Sequence, residues 1–308
     1  MKRCYINLQG EILSLNNYEM ADRFYEDFAL IKRSEGFNHI DQNFREFPRY
    51  YKWLTRYFHG FSAFESYDGE KGFLDTSHNS IIIFQFEGFS RFSADGVAAF
   101  SRNGLYGLIN TNGQIVLEPK YARIDPFSEG LAVVQMEDFK HGFLNTNGDV
   151  AIAPAWDLAL PFSNGVATVT QNNKFGGINT SGITIIEPIY SNLGLCYEDR
   201  ISFAKGRKQG FLNTKGDIVI PPQFDEVDYF NQGLAPVKVK KKWGFLKSNG
   251  DIFIEPEFDV ATRFVNGFSR IVYKGQLGLI STEGKTYFFP KYLNIDYPYK
   301  GIISAIKE

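Results

Sequence analysis

Four histidines, two cysteines and several close carboxylates are the residues of this chain that could carry chemistry. His39, His59, His78 and His141 could each serve as a base or a metal ligand, but no two stand close enough in sequence to form a ligand pair. Each falls in or near a turn signal, which reads as a surface histidine with no required function. Cys4 and Cys196 could pair, but a disulfide framework needs more, and no Cys-x-x-Cys is present for zinc. They read as ordinary thiols in a reducing compartment. Glu65 with Asp68, Glu137 with Asp138, and Asp225 with Glu226 are carboxylate pairs of the kind that performs acid–base work. All three stand in segments that read as variable loops, where solvated charge is the simpler account. There is no glycine-rich phosphate loop and no nucleophile elbow. The expectation is therefore a protein without catalytic residues, metal or cofactor.

Positive charge is more organised. Lys205, Arg207 and Lys208 precede one period boundary, and Lys238, Lys240, Lys241 and Lys242 precede the next, with Lys174 and Lys274 in comparable places. If these segments stack in register they form a basic strip able to steer an acidic protein, a phosphorylated group or nucleic acid. The competing reading is a solvated lysine edge that discourages strand aggregation. A second candidate surface is the aromatic and basic run holding Arg49, Lys52 and Trp53, although Tyr50 and Trp53 would equally suit a core. The net charge of −2 gives no general drive toward nucleic acid, so the expected partner is a protein, for which an acidic surface would suit the strip, with nucleic acid as the less favoured alternative. No run of apolar residues is long enough for a membrane span, and Met1–Asn7 lacks the apolar stretch of a leader, so the expected location is cytoplasmic.

These groups are carried on a repeat. The glycine before an apolar pair recurs at Gly72, Gly107, Gly142, Gly176, Gly210, Gly244 and Gly278, in steps of 34 or 35 residues. Each copy continues through a turn such as Asn112-Gly113, Asn147-Gly148 or Asn249-Gly250, where Asn-Gly favours two successive residues of positive φ. Asn79 stands in for the glycine in one copy. A short apolar strand follows and a proline stops it: Pro48, Pro119, Pro154, Pro188, Pro222, Pro256 or Pro290. An aromatic comes two residues later (Tyr18, Tyr50, Phe86, Tyr121, Trp156, Tyr190, Phe224, Phe258, Tyr292). A second follows about six residues on (Phe24, Tyr57, Phe92, Phe127, Phe162, Tyr197, Phe230, Phe264). Burying such rings contributes ~1.5–3 kcal/mol each, which makes this double ladder the expected cohesive element.

The first sixty residues are ambiguous. Tyr18, Ala21, Phe24, Phe28 and Ile31 fall near helical spacing, with Asn16 and Glu19 resembling a capping box. The repeat template also fits them, with Gly10 as hairpin glycine and a second diverged copy from Gly36 to Gly60. On the preferred reading residues 1–59 are two diverged β repeats and residues 60–308 are seven regular ones, in one continuous repeat domain. Nine all-β units of about 34 residues can close into a β-propeller-like ring or stack as an open β-solenoid. Closure is preferred, with Gly301–Ala305 pairing beside Cys4-Tyr5-Ile6, because neither terminus looks like a polar cap.

Lys242-Trp243-Gly244-Phe245, the Asn-Gly turn and the Gly-Phe-Ser of residues 267–269 resemble the WG-repeat family of bacterial proteins. The likeness covers residues 60 to 301 well and the first two copies loosely. Trp243 alone keeps the tryptophan; Tyr106, His141, Phe175, Gln209 and Leu277 replace it. The resemblance implies tandem β repeats and supplies no catalytic residues. Function is expected to be that of an interaction scaffold, in a narrower form the neutraliser of a toxin or nuclease. The alternative is an enzyme or small-ligand binder with a site at the centre or rim of a ring.

Overall fold

The computed structural model describes residues 2–83, 87–136 and 139–307. Phe86 of the aromatic series and the Glu137–Asp138 pair lie outside the described residues. The fold is all-β, with no helix among the described residues, and the first sixty are strands as well. Ile12–Tyr18 is extended through Asn16, and Met20–Ala21, Ala29–Arg33 and Gly36–Ile40 follow.

Nine antiparallel sheets are formed among the described residues, eight of four strands and one of three. One sheet shows the pattern: Arg123–Ile124, Leu131–Gln135, His141–Asn145 and Val150–Trp156, joined in sequence order as a meander. The first strand is only two residues long, which is how a unit of about 34 residues carries four strands. Each sheet is out of phase with the sequence repeat. The strand that starts at the recurring glycine and the one after it complete a sheet begun by the preceding copy. A series built in this way leaves two strands over at each end. They complete one sheet together: Tyr292–Ile295 and Ile303–Lys307 followed by Lys2–Ile6 and Ile12–Tyr18. Cys4 faces Ala305, Tyr5 faces Ser304 and Ile6 faces Ile303. The protein is thus a nine-bladed β-propeller closed by its terminal strands, and the open solenoid is excluded.

The chain packs as two compact units. The first comprises Met1–Gln85, Lys241–Gly244 and Ile254–Glu308. Its cores include Cys4, Ile6, Leu279, Phe289, Ile295 and Ile303 under the closing sheet, and Tyr5, Tyr18, Phe24, Ile31 and Ile40 beside it. The second comprises Phe86–Lys240 and Phe245–Phe253, with cores such as Phe143, Ile152, Phe162, Val169 and Ile178.

The recurring glycine is explained by a close backbone crossing. A Cβ on Gly210 would stand 2.4 Å from the Ile220 carbonyl oxygen and 2.8 Å from the Pro222 nitrogen. The crossing exists because the facing strand is bulged: Gln209 pairs with Phe224 and Phe211 with Ile220, leaving extra residues between. The proline sits inside that bulge, within Ile218–Phe224, so it does not stop the strand as its type suggests. A bulge takes its nitrogen out of the ladder, which is what a residue without N–H requires. Gly210→Ala is expected to lower stability by on the order of 3 kcal/mol, since the obstacle is backbone and has no rotamer to give. The shift of the urea midpoint measures it.

Three details of the repeat differ from expectation. In the Asn-Gly turns only the glycine has positive φ, as at Gly113, Gly148 and Gly250. A side chain two residues before the turn Asn, such as Asn110, accepts from the N–H groups of Asn112 and Gln114 and so closes a longer loop. In the second copy Tyr51, 2% exposed, holds the place expected for Tyr50. In the sixth, buried Cys196 replaces Tyr197, which is half-buried. Both cysteines are free and buried, and burial pushes the Cys196 thiol up to about 12.

Candidate interaction surface

The hairpins between the second and third strands of the sheets carry the cationic residues. Three of them are pinned by a carboxylate that follows the first aromatic, Asp157, Asp225 or Asp259. Asp225 accepts from Lys208 Nζ at 2.7 Å and from the backbone N–H of Lys240 at 2.9 Å. Asp157 does the same with Lys140 and Asn172, and Asp259 with Lys242 and Gly275. One carboxylate thus joins the hairpins of consecutive repeats. The lysine bond holds all three carboxyls below the ordinary aspartate range. A parallel stitch uses glutamate: Glu26 accepts from the N–H groups of His59 and Gly60, and Glu198 from those of Gln232 and Gly233. Neither stitch is visible in sequence, because it becomes apparent only when the repeats are in register.

Within the strip, Lys208 and Lys242 are neutralised by Asp225 and Asp259, and Lys238 pairs with Glu226 at 2.5 Å. Lys205, Arg207, Lys240 and Lys241 are exposed and form no ion pair among the described residues. Gly206-Arg207 is the tip of one hairpin, with Lys205 just before it. Lys240 and Lys241 are the tip of the next, and both have positive φ, 48° and 73°. At the corresponding tips stand Asn103-Gly104, Asn172-Asn173 and Lys274-Gly275. Lysine has none of the local compensation that lets Asn or Gly occupy this region, and the left-handed conformation costs roughly 1–2 kcal/mol per residue.

The second candidate surface is more compensated. Arg49 lies 3.9 Å from Asp68 and 3.8 Å from Glu70, and Lys52 pairs with Glu65. Trp53 is 42% exposed on the short strand Trp53–Leu54, opposite Glu65. The structure brings these three residues to one edge and surrounds them with carboxylates.

The histidines depart furthest from expectation. His59 is exposed and His141 half-buried, but His39 is fully buried in Gly36–Ile40. Its Nε2 lies 2.7 Å from the Thr55 carbonyl and its Nδ1 3.0 Å from His78 Nε2. The carbonyl can only accept, so His39 donates from Nε2 and accepts at Nδ1, and His78 donates from Nε2. The His78 ring stacks on Phe47 at 3.6 Å, and its Nδ1 is buried without a partner. Burial holds His39 down at about 3 and His78 at about 4, so both are neutral near pH 7. Among the described residues no three His, Cys, Asp or Glu side chains are grouped as metal ligands, and no helix is long and apolar enough to cross a membrane.

In the second unit a cleft of about 390 Å³ opens beside Leu193–Tyr197, a first strand of five residues where most of the other sheets have two. Phe175, Asn192, Ser202, Gln209, Asp228 and Tyr229 line it. Within that strand Gly194 stands where Asp228 and Thr262 stand in the next copies.

Residues 72–106, 106–138, 142–175, 210–243 and 243–276 match the family described as WG containing repeat, and together make up more than half of the chain. A search of curated proteins finds no match. Among solved structures, a eukaryotic initiation factor is similar over 95% of this chain and 100% of its own, at 10% identity and a TM-score of 0.60. BamB from Moraxella catarrhalis is similar over 94% of this chain and 96% of its own, at 11% identity and TM-score 0.47. Virginiamycin B lyase from Staphylococcus aureus is similar over 72% of this chain and 94% of its own, at 16% identity and TM-score 0.36. At such identities the likeness to the initiation factor concerns the fold alone.

Proposed function

This chain belongs to the WG-repeat family, and from that premise we propose that it is a non-enzymatic interaction scaffold that binds an acidic macromolecular partner through its cationic hairpins. The observation that carries the reading is the Lys240–Lys241 tip. Two unpaired lysines occupy successive left-handed positions, on a hairpin pinned by Asp225; Lys274 also fills the first such position, but the second is Gly or Asn at Gly104, Asn173 and Gly275. A local cost of this kind, kept at an exposed tip, points to use of the side chains themselves. Lys205 and Arg207 extend the same charge on the preceding hairpin. A propeller suits the role, because rigid sheets present variable loops in register. Neutralisation of a toxin or nuclease by covering its surface is a narrower form of the same proposal, as is a bacterial cytoplasmic setting, which free buried thiols support.

The test is capture by the tagged chain from a lysate of its source at low and high salt, compared with a variant carrying Lys205→Glu, Arg207→Glu, Lys240→Glu and Lys241→Glu. Lys208 and Lys242 are left intact because they hold Asp225 and Asp259. A partner retained at low salt, released at high salt and lost in the variant is the expected result. Equal capture by the variant removes the reading.

The cleft beside Leu193–Tyr197 favours a second reading, a small-ligand binder. Its mix of Phe175 and Tyr229 with Asn192, Ser202 and Asp228 is the composition of a site for a small polar molecule. A thermal-shift screen of metabolites, with Asp228→Asn as the specificity control, separates the two.

A further inference from the structure

Arg270 is out of keeping with its position. It lies in Phe268–Tyr273, and its carbonyl accepts from the Thr262 N–H at 3.0 Å. The same bond forms in other repeats, where the accepting residue is Leu30, Ala63, Ala99, Val133, Thr168, Pro236 or Ser304. None of these is charged. A guanidinium in this half-buried place has to be supported. Its Nη2 donates to Asn294 Oδ1 at 2.6 Å, and its Cζ stands 6.0 Å from the centroid of Tyr297. Its Nε is buried and has no partner. Arg23 approaches the same ring, with Cζ 5.6 Å from the centroid, and is also half-buried.

The nearby carboxylates do not neutralise these two groups. Asp22 is taken by Arg56 and by the N–H of Arg23, and Asp296 accepts from the N–H of Tyr297 at 2.8 Å. No carboxylate lies within ion-pair distance of Arg23 or Arg270 among the described residues. Tyr297, near both, is held rigidly, because its hydroxyl donates to Thr262 Oγ1 at 2.8 Å. All of these residues belong to the first unit. The geometry is two partly desolvated guanidinium groups within about 6 Å of one fixed phenol ring, with an amide bonded to one of them and no carboxylate paired with either among the described residues.

We propose that Arg23 and Arg270, with Asn294 and Tyr297, form a binding site for a small oxyanion, the carboxylate or phosphate group of an organic anion. Arginine suits this ligand because its planar fork matches either group in bidentate fashion, and partial burial strengthens each charge-assisted bond. An anion would also offset the cost of holding two like charges near each other away from water. The site is separate from the cationic hairpins and does not depend on the scaffold reading.

Calorimetry with the full chain at constant ionic strength tests it, using inorganic phosphate in one series and citrate in the other. Saturable binding of at least one is expected. Arg270→Gln and Arg23→Gln should each raise its Kd about tenfold or more, the scale of one lost charge-assisted bond. Arg270→Lys should restore only part of the affinity, and Lys240→Ala with Lys241→Ala should leave it unchanged. The preferred anion tells phosphate from carboxylate chemistry. No saturation with either anion overturns the proposal. So does unchanged affinity in Arg23→Gln or in an Arg270→Gln protein that melts as the parent does, which would make Arg270 a structural brace.

Discussion

Removal of residues 290–308 is expected to abolish the folded state of the first unit. The deletion takes away Tyr292–Ile295 and Ile303–Lys307, half of the closing sheet. Ile295 and Ile303, 1% and 0% exposed, leave the core, and Cys4 and Ile6 lose their cover. At ~1.5–3 kcal/mol for each large apolar side chain the loss is on the order of 5 kcal/mol or more, comparable with the whole stability of an ordinary domain. Side-chain bonds across the closure go as well: Ser304 Oγ to the Ala21 carbonyl, Tyr292 Oη to the Gly10 carbonyl, and Tyr299 and Lys300 to Asp27. The freed edge of Lys2–Ile6 then offers unpaired backbone to other chains. Size-exclusion chromatography and thermal melting of the truncated protein should show aggregation or loss of the cooperative transition. Partial recovery is expected when the 290–308 peptide is added in trans. A truncated chain that melts like the parent would show that the closure contributes little.

That closure was legible because two independent signals agreed. The glycine period gave seven copies and the repeat template two more, and both ends of the chain read as ordinary repeat strands with no polar cap. The aromatic ladder was legible for a similar reason: Phe162, Phe230 and Phe264 are buried because every copy must cover the same gap. What the sequence did not show was a matter of local register. The second copy aligned on Gly36, whereas the residue facing Ile31 there is Asn38, as Gly107 faces Phe100. The turn aligned on Asn79, whereas His78 carries the positive φ, 63°, at the place of Gly113. The offset is two residues in the strand and one in the turn, and it hides that His39 takes the core position of Leu108 and His78 the turn position of Gly113. The carboxylate stitches of Glu26, Glu198 and Asp225 escaped for another reason, since their partners lie in the next repeat and loop charge alone does not say which.

The histidine pair should make the protein sensitive to mild acid. In the unfolded chain each imidazole titrates near 6.5. In the folded chain His39 is held at about 3 and His78 at about 4 by burial. The folded pKa is depressed for both, so their neutral form is favoured by folding. Stability is full above pH 6.5 and declines as pH falls from there toward 4, because the unfolded state takes up protons that the folded state refuses. For fully buried His39 the integrated effect is on the order of 4 kcal/mol. His78 adds less, being partly exposed, with Asp75 close by to favour its charge. Protonation of His39 would also set two N–H groups against each other across the 3.0 Å contact. His39 occupies the strand position of Leu108, and His78 the loop position of Gly113. The double variant His39→Leu with His78→Gly therefore restores the repeat pattern at both. Urea midpoints at pH 7, 6 and 5 should fall steeply for the parent and stay nearly level for the variant. At pH 7 the variant should match or exceed the parent, because glycine relieves the left-handed backbone at residue 78. Equal slopes in the two proteins would move the acid sensitivity to the carboxylates, whose protonation belongs to lower pH, and would leave the histidine pair as packing alone.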